Sequence, residues 1–546
     1  MNEPSAAHHT LKHLSLAVAS ALFLQGTYTH AAGLSLVDFN SVSAFGSAGA
    51  GRGVNSSDAS VLSTNPAGMS FLDKQQFVIG GMGIFAGGEA KGTYETLILD
   101  NPNNYDVENL TPENIKYYQV FGSLNNYPKK GKHNCTDFDG NSAHCYIEHG
   151  KSNDFLQPKV VPSLYYAQPV TDQLWAGMAV YASFGGETEY KVESPFRYQA
   201  LQSKTQIMKF QPSLSWRFDD SLAVGVGLMV AAGQMEMSRH LNPLAGAITD
   251  ASAQIDGEGV GIGMNLGVIW KPLPSLVLGM SYRSPVKMKL EGDLRASGVA
   301  GLGVVMEHFA DRHNDGSDHD DYPQPIPDAK ASARWMTSER PGITKQDVKT
   351  TIKFPEIVDL SLSYDLDPQW TLLANATWTR WSRMEYFKVT ASGGIPGRRV
   401  SDIVTVSNGA PGGHVVAFVP QNWSDVWSLS LGGQYQLNEK WLLRGGYAVD
   451  KSPTNDTTRS ARIPDNDRQW LTLGARYTFD EKYSLDLAYG YMMMKSFTIH
   501  DANHKVDGSR QGVIEETAIF EDPGSLSARY RNMHAHAFAA QLTVRF

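Results

Sequence analysis

Cysteine, charge and long apolar runs are all scarce in this 546-residue chain, and each scarcity closes off a class of protein. Two cysteines exclude a disulfide-rich scaffold and a centre built on several thiolates. Charged residues make up 19%, below the roughly 25% of an average soluble chain. The net charge of −9 has the wrong sign for a protein that coats nucleic acid, so no nucleic-acid partner is expected. A mean hydropathy of −0.30 argues against a bundle of membrane-crossing helices, which needs repeated apolar stretches of about 20 residues. No Walker loop, His-Glu-x-x-His or Gly-x-Ser-x-Gly pattern occurs, so no metal, no cofactor and no enzymatic activity are expected. What the chain has in quantity is glycine, 51 residues without a collagen period, and aromatic residues, 10% of the total. A large soluble β-protein or a transmembrane β-barrel remains, the latter because alternating strands never accumulate hydropathy.

The amino terminus favours export. Lys12, an apolar run from Leu14 to Leu24 and the small residue Ala31 have the form of a secretory signal peptide spanning residues 1–31. Downstream of Gln75 the chain repeatedly alternates. Leu222, Val224, Val226, Leu228 and Val230 line one face of a segment whose other face is Ala223, Gly225, Gly227 and Met229. Ile262–Trp270, Leu276–Tyr282 and Trp370–Trp378 behave alike. Successive strand side chains point to opposite faces, so each segment is apolar on one side and small or polar on the other. Arg444, Arg476 and Asp486 fall on the polar side, where a water-containing lumen accepts what a sandwich core would reject. Trp, Tyr and Phe gather near segment ends, as in Trp441 and Tyr477–Phe479, the positions of interfacial girdles.

Short polar turns at Thr171-Asp172, Asp219-Asp220, Lys271–Pro274, Asp367-Pro368, Asn438–Lys440 and Asp480–Lys482 alternate with long connections near 87–157, 191–204, 239–256, 291–349, 389–423, 451–466 and 498–533. Thirteen joins give about 14 strands, the even number of a bacterial barrel with long loops outside. The fold class expected is therefore all-β: a transmembrane antiparallel β-barrel over 76–546, ending on the aromatic Phe546. Residues 32–75 do not alternate. They are glycine- and serine-rich, with Asp58 or Ser57 placed to cap a short helix, and suit an N-terminal plug (hatch) containing short helices inside the lumen.

With the plug and the blocks that follow it, the chain resembles the FadL-type outer-membrane transporters of long-chain fatty acids and hydrocarbons. The start Ala32–Phe39, the plug motif Asn65-Pro66-Ala67, Tyr282–Lys287, Phe354-Pro355-Glu356, Asp367–Trp370, Trp378–Ser382 and the run from Ser452-Pro453 through Arg459-Ser460 and Ile463–Arg468 to Trp470 carry that resemblance in order. It implies the bacterial cell outer membrane as location, a monomer, outer-membrane lipid and lipopolysaccharide as surroundings, and a long-chain fatty acid or hydrocarbon as ligand. It also implies lateral release where the third strand kinks. Ser183-Phe184-Gly185-Gly186 fits such a kink, since adjacent glycines in a strand mark a bulge or bend, although an ordinary glycine-rich strand end reads the same way. For binding, the resemblance implies an inner site near the mature amino terminus, with Leu34 and Phe39 as candidates, Arg239 as the carboxylate contact or else a rim arginine, and Lys388, Arg398 or Arg399 as nearby basic candidates.

Cys135 and Cys145 stand ten apart in the first long connection, a disulfide after export or two free thiols. The loop run from His313 to Asp321 is either a divalent-cation site or solvated charge. Two rival functions remain open: a general porin, which needs an open lumen, and a barrel phospholipase, for which His534 and His536 lie near the last strand without an evident partner.

Overall fold

The computed structural model describes residues 40–97, 132–136, 142–241, 251–297, 344–392, 414–502 and 524–546. The signal-peptide reading, and Leu34 and Phe39 with it, lie outside the described residues.

One antiparallel sheet closes on itself as a barrel of fourteen strands. In chain order they are β1 (Gln76–Leu97), β2 (Ser142–Asn153 continued by Lys159–Pro169), β3 (Leu174–Glu189), β4 (Gln202–Arg217), β5 (Leu222–Leu241), β6 (Ala251–Leu273) and β7 (Leu276–Arg283 with Val286–Ser297). The circuit continues with β8 (Thr344–Phe354 with Ile357–Asp365), β9 (Trp370–Thr379 with Tyr386–Ser392), β10 (His414–Pro420 with Val426–Gln436) and β11 (Trp441–Asp450). It ends with β12 (Arg468–Thr478), β13 (Tyr483–Met494 with Phe497–Ala502) and β14 (Ser525–Arg545). Closure is the β1–β14 ladder, which runs from Gln76↔Arg545 to Glu95↔Ser525. A closed ring leaves no sheet edge, the condition for a β-structure in a medium that offers no hydrogen bonds.

The alternation read from the sequence is the inside–outside alternation of this wall. Ala223 and Met229 are buried, whereas Leu228, Ile262, Leu431 and Leu473 are exposed on the outer face. Cross-strand rings stack near the short turns, Trp370 on Tyr435 at 4.7 Å and Trp441 on Tyr477 at 4.8 Å. The turns share one device: a side-chain oxygen that accepts two successive backbone N–H groups. Asp219, Asp367, Asn438 and Asp480 each do so at 2.7–3.0 Å, a local bond that favours reversal over continued strand. One turn is tighter than expected: β6 continues to Leu273, which pairs with Leu276. Strands also reach further into the long connections than the alternation suggested. β1 runs to Leu97 rather than stopping near 87, and β5 to Leu241.

Residues 40–75, before β1, fill the lumen. A one-turn helix (Val42–Phe45) and two 3₁₀ turns (Ala59–Ser63 and Pro66–Phe71) are each capped by a side chain, from Ser41, Asp58 and Asn65 respectively. The Asn65-Pro66-Ala67 motif is a complete cap: Asn65 accepts from Ala67 N at 3.1 Å, Pro66 needs no donor at the first position, and the same amide donates to Val268 O of β6 at 3.0 Å. The wall makes room for this backbone with glycine. A Cβ at Gly225 would collide with the main chain of Pro66 and Ala67, and one at Gly446 with that of Ser47.

The inward charges do not face open water, as the sequence suggested, but each other. Arg476 donates to Asp58 of the hatch at 2.7 Å and to Asp486 at 2.8 Å, and Arg444 meets Asp486 at 2.5 Å. On the opposite side Arg52 of the hatch pairs with Asp359, which Arg283 also contacts. Removing one partner of such a buried pair typically costs about 3–5 kcal/mol, because the other charge is left uncompensated.

Replacing Gly225 with valine should therefore expel the hatch while leaving the closed ring able to form. Liposomes containing Gly225→Val protein should admit a small sugar markedly faster than those with wild-type protein; equal rates would show that this contact does not seat the hatch.

Candidate functional site

Among the described residues the ladder between β2 and β3 is interrupted. Their ladder runs from Pro169↔Trp175 to Ser163↔Tyr181 and stops; the next contact is a single bridge, Leu156↔Thr188. Across the gap Lys159–Pro162 are held by β1 alone, from Ile84↔Lys159 to Gly81↔Pro162. Phe184–Glu187 are held by β4 alone. The cause is one extra residue. The β3–β4 register shifts between Ala182 and Phe184, and an inserted residue bends its strand and reverses which side chains face inward. Phe184 consequently turns into the lumen, stacked on Phe354 at 4.9 Å and edge-on to Trp381 at 5.7 Å.

The irregularity sits at Ser183, not at the glycine pair: Gly185 and Gly186 remain in the ladder opposite Gln206 and Thr205. The glycines serve the gap differently. A Cβ on Gly185 would collide with the Lys159 ammonium.

Above the gap, towards the long connections, lies a cavity of about 80 Å³. Met237, Ile255, Leu294 and Val416–Val419 supply apolar walls, and Arg239, Arg459, Arg462 and Asp501 supply charge. The last four converge because the connection after β11 folds inward. Tyr190 donates to Ala461 O at 2.8 Å, Ala461 N donates to Asp501 Oδ2 at 2.7 Å, and Thr188 donates to Arg462 O at 3.2 Å. Arg462 reaches only neutral oxygens with its own donors, Ser203 Oγ at 3.3 Å and Ser238 O at 3.5 Å. Burial and the neighbouring Arg239 lower its pKa to about 10. Burial raises the Asp501 carboxyl to about 6, against the hydrogen bond from Ala461 and the pull of Arg462 and Arg239. The arrangement is a basic pair with an acid of raised pKa between apolar walls, donors that could pair with an anionic group.

This cavity continues downward. A second one shares Met237, Val419 and Arg462 with it and reaches Gly186, Glu187 and Thr188 of β3. A third, beside Arg52 of the hatch, takes in Ser183, Phe184, Arg283 and Trp381. The first two adjoin each other; the third shares no lining residue with them.

Arg239 is the sequence candidate that lines the upper cavity. Lys388 does not; it lies on the outer segment of β9 opposite Phe418. Arg398, Arg399 and the His313–Asp321 run fall outside the described residues. Cys135 and Cys145 lie on paired strands, opposite Ala143 and His133 respectively, two positions out of direct register, and their side chains are not among those described. His536 bonds the Tyr489 hydroxyl at 2.9 Å on the wall. The sequence reading missed Arg462 and Asp501. Both sit within or beside segments it had assigned to long connections, and only the inward fold of the 451–467 connection brings them to Arg239.

Comparison with known proteins places this geometry. A family model described as outer membrane protein transport protein (OMPP1/FadL/TodX) matches residues 22–546. A long-chain fatty acid transport protein of Escherichia coli O6:H1 is 23% identical over 496 residues, covering 87% of this chain and 90% of that protein. Outer membrane protein P1 of Haemophilus influenzae is 24% identical, covering 97% and 98%. Among solved structures, a Pseudomonas aeruginosa FadL homologue superposes with a TM-score of 0.67 at 19% identity, over 94% of this chain and 100% of that one. The P. putida toluene transporter TodX gives 0.55 at 15%, over 92% and 97%.

The cavity predicts a pH dependence. Above pH 6 the Asp501 carboxylate is ionised, holds the arginines and repels an entering anion; below it, that opposition is lost. Binding of an alkyl sulfate, whose headgroup stays ionised, should tighten on the order of tenfold between pH 7.5 and 5. Asp501→Asn should bind as tightly at both, as read by fluorescence or calorimetric titration.

Proposed function

The chain belongs to the outer membrane protein transport family of OMPP1, FadL and TodX, and from that premise we propose that it takes up long-chain fatty acids. The substrate is bound at the external mouth, passed down beside the hatch and released sideways into the membrane. The observation that carries this reading is the cavity holding a basic pair, Arg239 and Arg462, with the adjoining one that reaches Gly186, Glu187 and Thr188 of β3 beside the gap. A carboxylate suits the arginines, and the apolar walls suit its chain. The gap suits the exit, because a hydrocarbon tail that leaves sideways never returns to water, a saving of about 0.8 kcal/mol per CH₂. Hatch rearrangement belongs to the same proposal. Glutamine 211 accepts from the Tyr181 hydroxyl at the lower edge of the gap and donates to Leu62 O of the hatch, both at 2.8 Å, so the two elements share a hydrogen-bonded side chain.

A second reading, uptake of an uncharged alkane or monoaromatic, has the apolar stretch Val416–Val419 in its favour. Growth of a deletion strain on oleate against alkanes or aromatics separates the two.

The lateral route is tested by deleting Ser183. Without the extra residue β3 can realign and continue its ladder with β2 past Tyr181. Oleate uptake by cells carrying the deletion should fall to background while the barrel still reaches the outer membrane; unchanged uptake would defeat the sideways exit.

A further inference from the structure

We propose that Lys159 and Lys209 form a carboxylate-binding subsite at the rim of the gap between β2 and β3, which receives the headgroup of an anionic substrate after it leaves the arginines above. The proposal rests on the fatty-acid reading and adds to it a second headgroup station and a means of selecting carboxylates over hydrocarbons.

Both lysines are buried in the wall where burial of an ammonium is least expected. Lys209, on β4 opposite Tyr181, is 4% exposed. Its Nζ lies 5.2 Å from the Phe184 ring centroid and 6.0 Å from that of Tyr181, and it makes no hydrogen bond or ion pair among the described residues. Lys159, on the strand segment that has lost β3 as a neighbour, is 9% exposed and packs against Gly185. It too makes no hydrogen bond or ion pair there; Glu187 is the carboxylate whose charge acts on it, against that of Lys204.

An ammonium removed from water without a partner is costly. Two aromatic faces offset part of that cost for Lys209, but they supply no acceptor for its protons. Residues of this kind inside a membrane wall mark an ion pathway more often than a packing solution. Here the bulge at Ser183 turns Phe184 inward beside Lys209, and the next residue, Gly185, leaves space for Lys159. The two ammonium groups therefore flank the stretch of β3 that has no partner across the gap. A carboxylate passing along this stretch would accept a charge-assisted hydrogen bond from each in turn, replacing Glu187 as the counter-charge of Lys159. A toluene or alkane molecule offers these groups nothing, so the pair discriminates by headgroup at the exit as the arginines do at the entrance.

The test uses the full chain in the outer membrane of a host that lacks its own transporter of this kind. Uptake of radiolabelled oleate is compared with that of oleyl alcohol, which has the same chain and no charge. In the double variant Lys159→Met, Lys209→Met, oleate uptake should fall about tenfold or more, the scale of a lost charged hydrogen bond, while uptake of the alcohol stays at the wild-type rate. Equal oleate uptake by variant and wild type overturns the subsite, and so does an equal loss of both substrates by an assembled barrel, which would mark the lysines as structural. Should the double variant fail to assemble, Lys159→Met alone carries the test, and undiminished oleate uptake in it overturns the proposal. A wild-type protein that takes up the alcohol but not oleate refutes the fatty-acid reading instead, an outcome distinct from the failure of the lysines.

Discussion

A β-structure in a bilayer must satisfy every backbone N–H and C=O within itself, and this constraint orders the rest of the molecule. It forces the sheet to close, which β1 and β14 accomplish along nineteen residues of ladder from Gln76 to Glu95 with one irregularity between Gly87 and Glu89. Closure encloses a lumen, and a lumen lined by arginines and carboxylates must then be either wet or filled. Here it is filled: the hatch brings Asp58 to Arg476 and Arg52 to Asp359. Each hatch charge joins an ion pair that the wall already makes, Arg476 with Asp486 and Asp359 with Arg283.

Against that constraint the gap between β2 and β3 is an exception that needs a specific cause, and one residue supplies it. The shift at Ser183 leaves β3 bonded to β4 but out of reach of β2, and Pro162, which has no N–H to lose, lies on the β2 side. The opening is confined between the Ser163↔Tyr181 pair and the Leu156↔Thr188 bridge. Below it the hatch fills the barrel; above it, the connection after β11 closes over the lumen and carries Arg462 to Arg239.

This geometry gives the family's shared architecture a particular electrostatic character. The mouth holds two arginines against a single acid of raised pKa, and the rim of the gap holds two lysines against Glu187. At the mouth cations outnumber the acid, although the chain as a whole carries a net charge of −9; at the gap Glu189 and Glu236 stand beside Glu187. The local excess of one sign at the mouth, inside low-dielectric walls, focuses the field along the path of an anion.

The sequence by itself determined the barrel, its strand number, the short turns and the plug, because each depends on interactions between near neighbours. Alternation needs only residues two apart, the turns only an Asp or Asn two or three residues before the N–H it binds, and the Asn65-Pro66-Ala67 cap only three consecutive residues. It also singled out Ser183-Phe184-Gly185-Gly186 as a bend, a run in which a register shift falls at Ser183. What only the tertiary structure decided is which distant residues meet. Arg462 joins Arg239 because an outer connection folds inward, an arrangement with no periodic signature. Lys159 and Lys209 read in sequence as ordinary strand lysines, and only the register shift on the strand between them makes them neighbours of a gap. A bulge changes the partner of every residue beyond it, and partners on other strands are not written in local spacing.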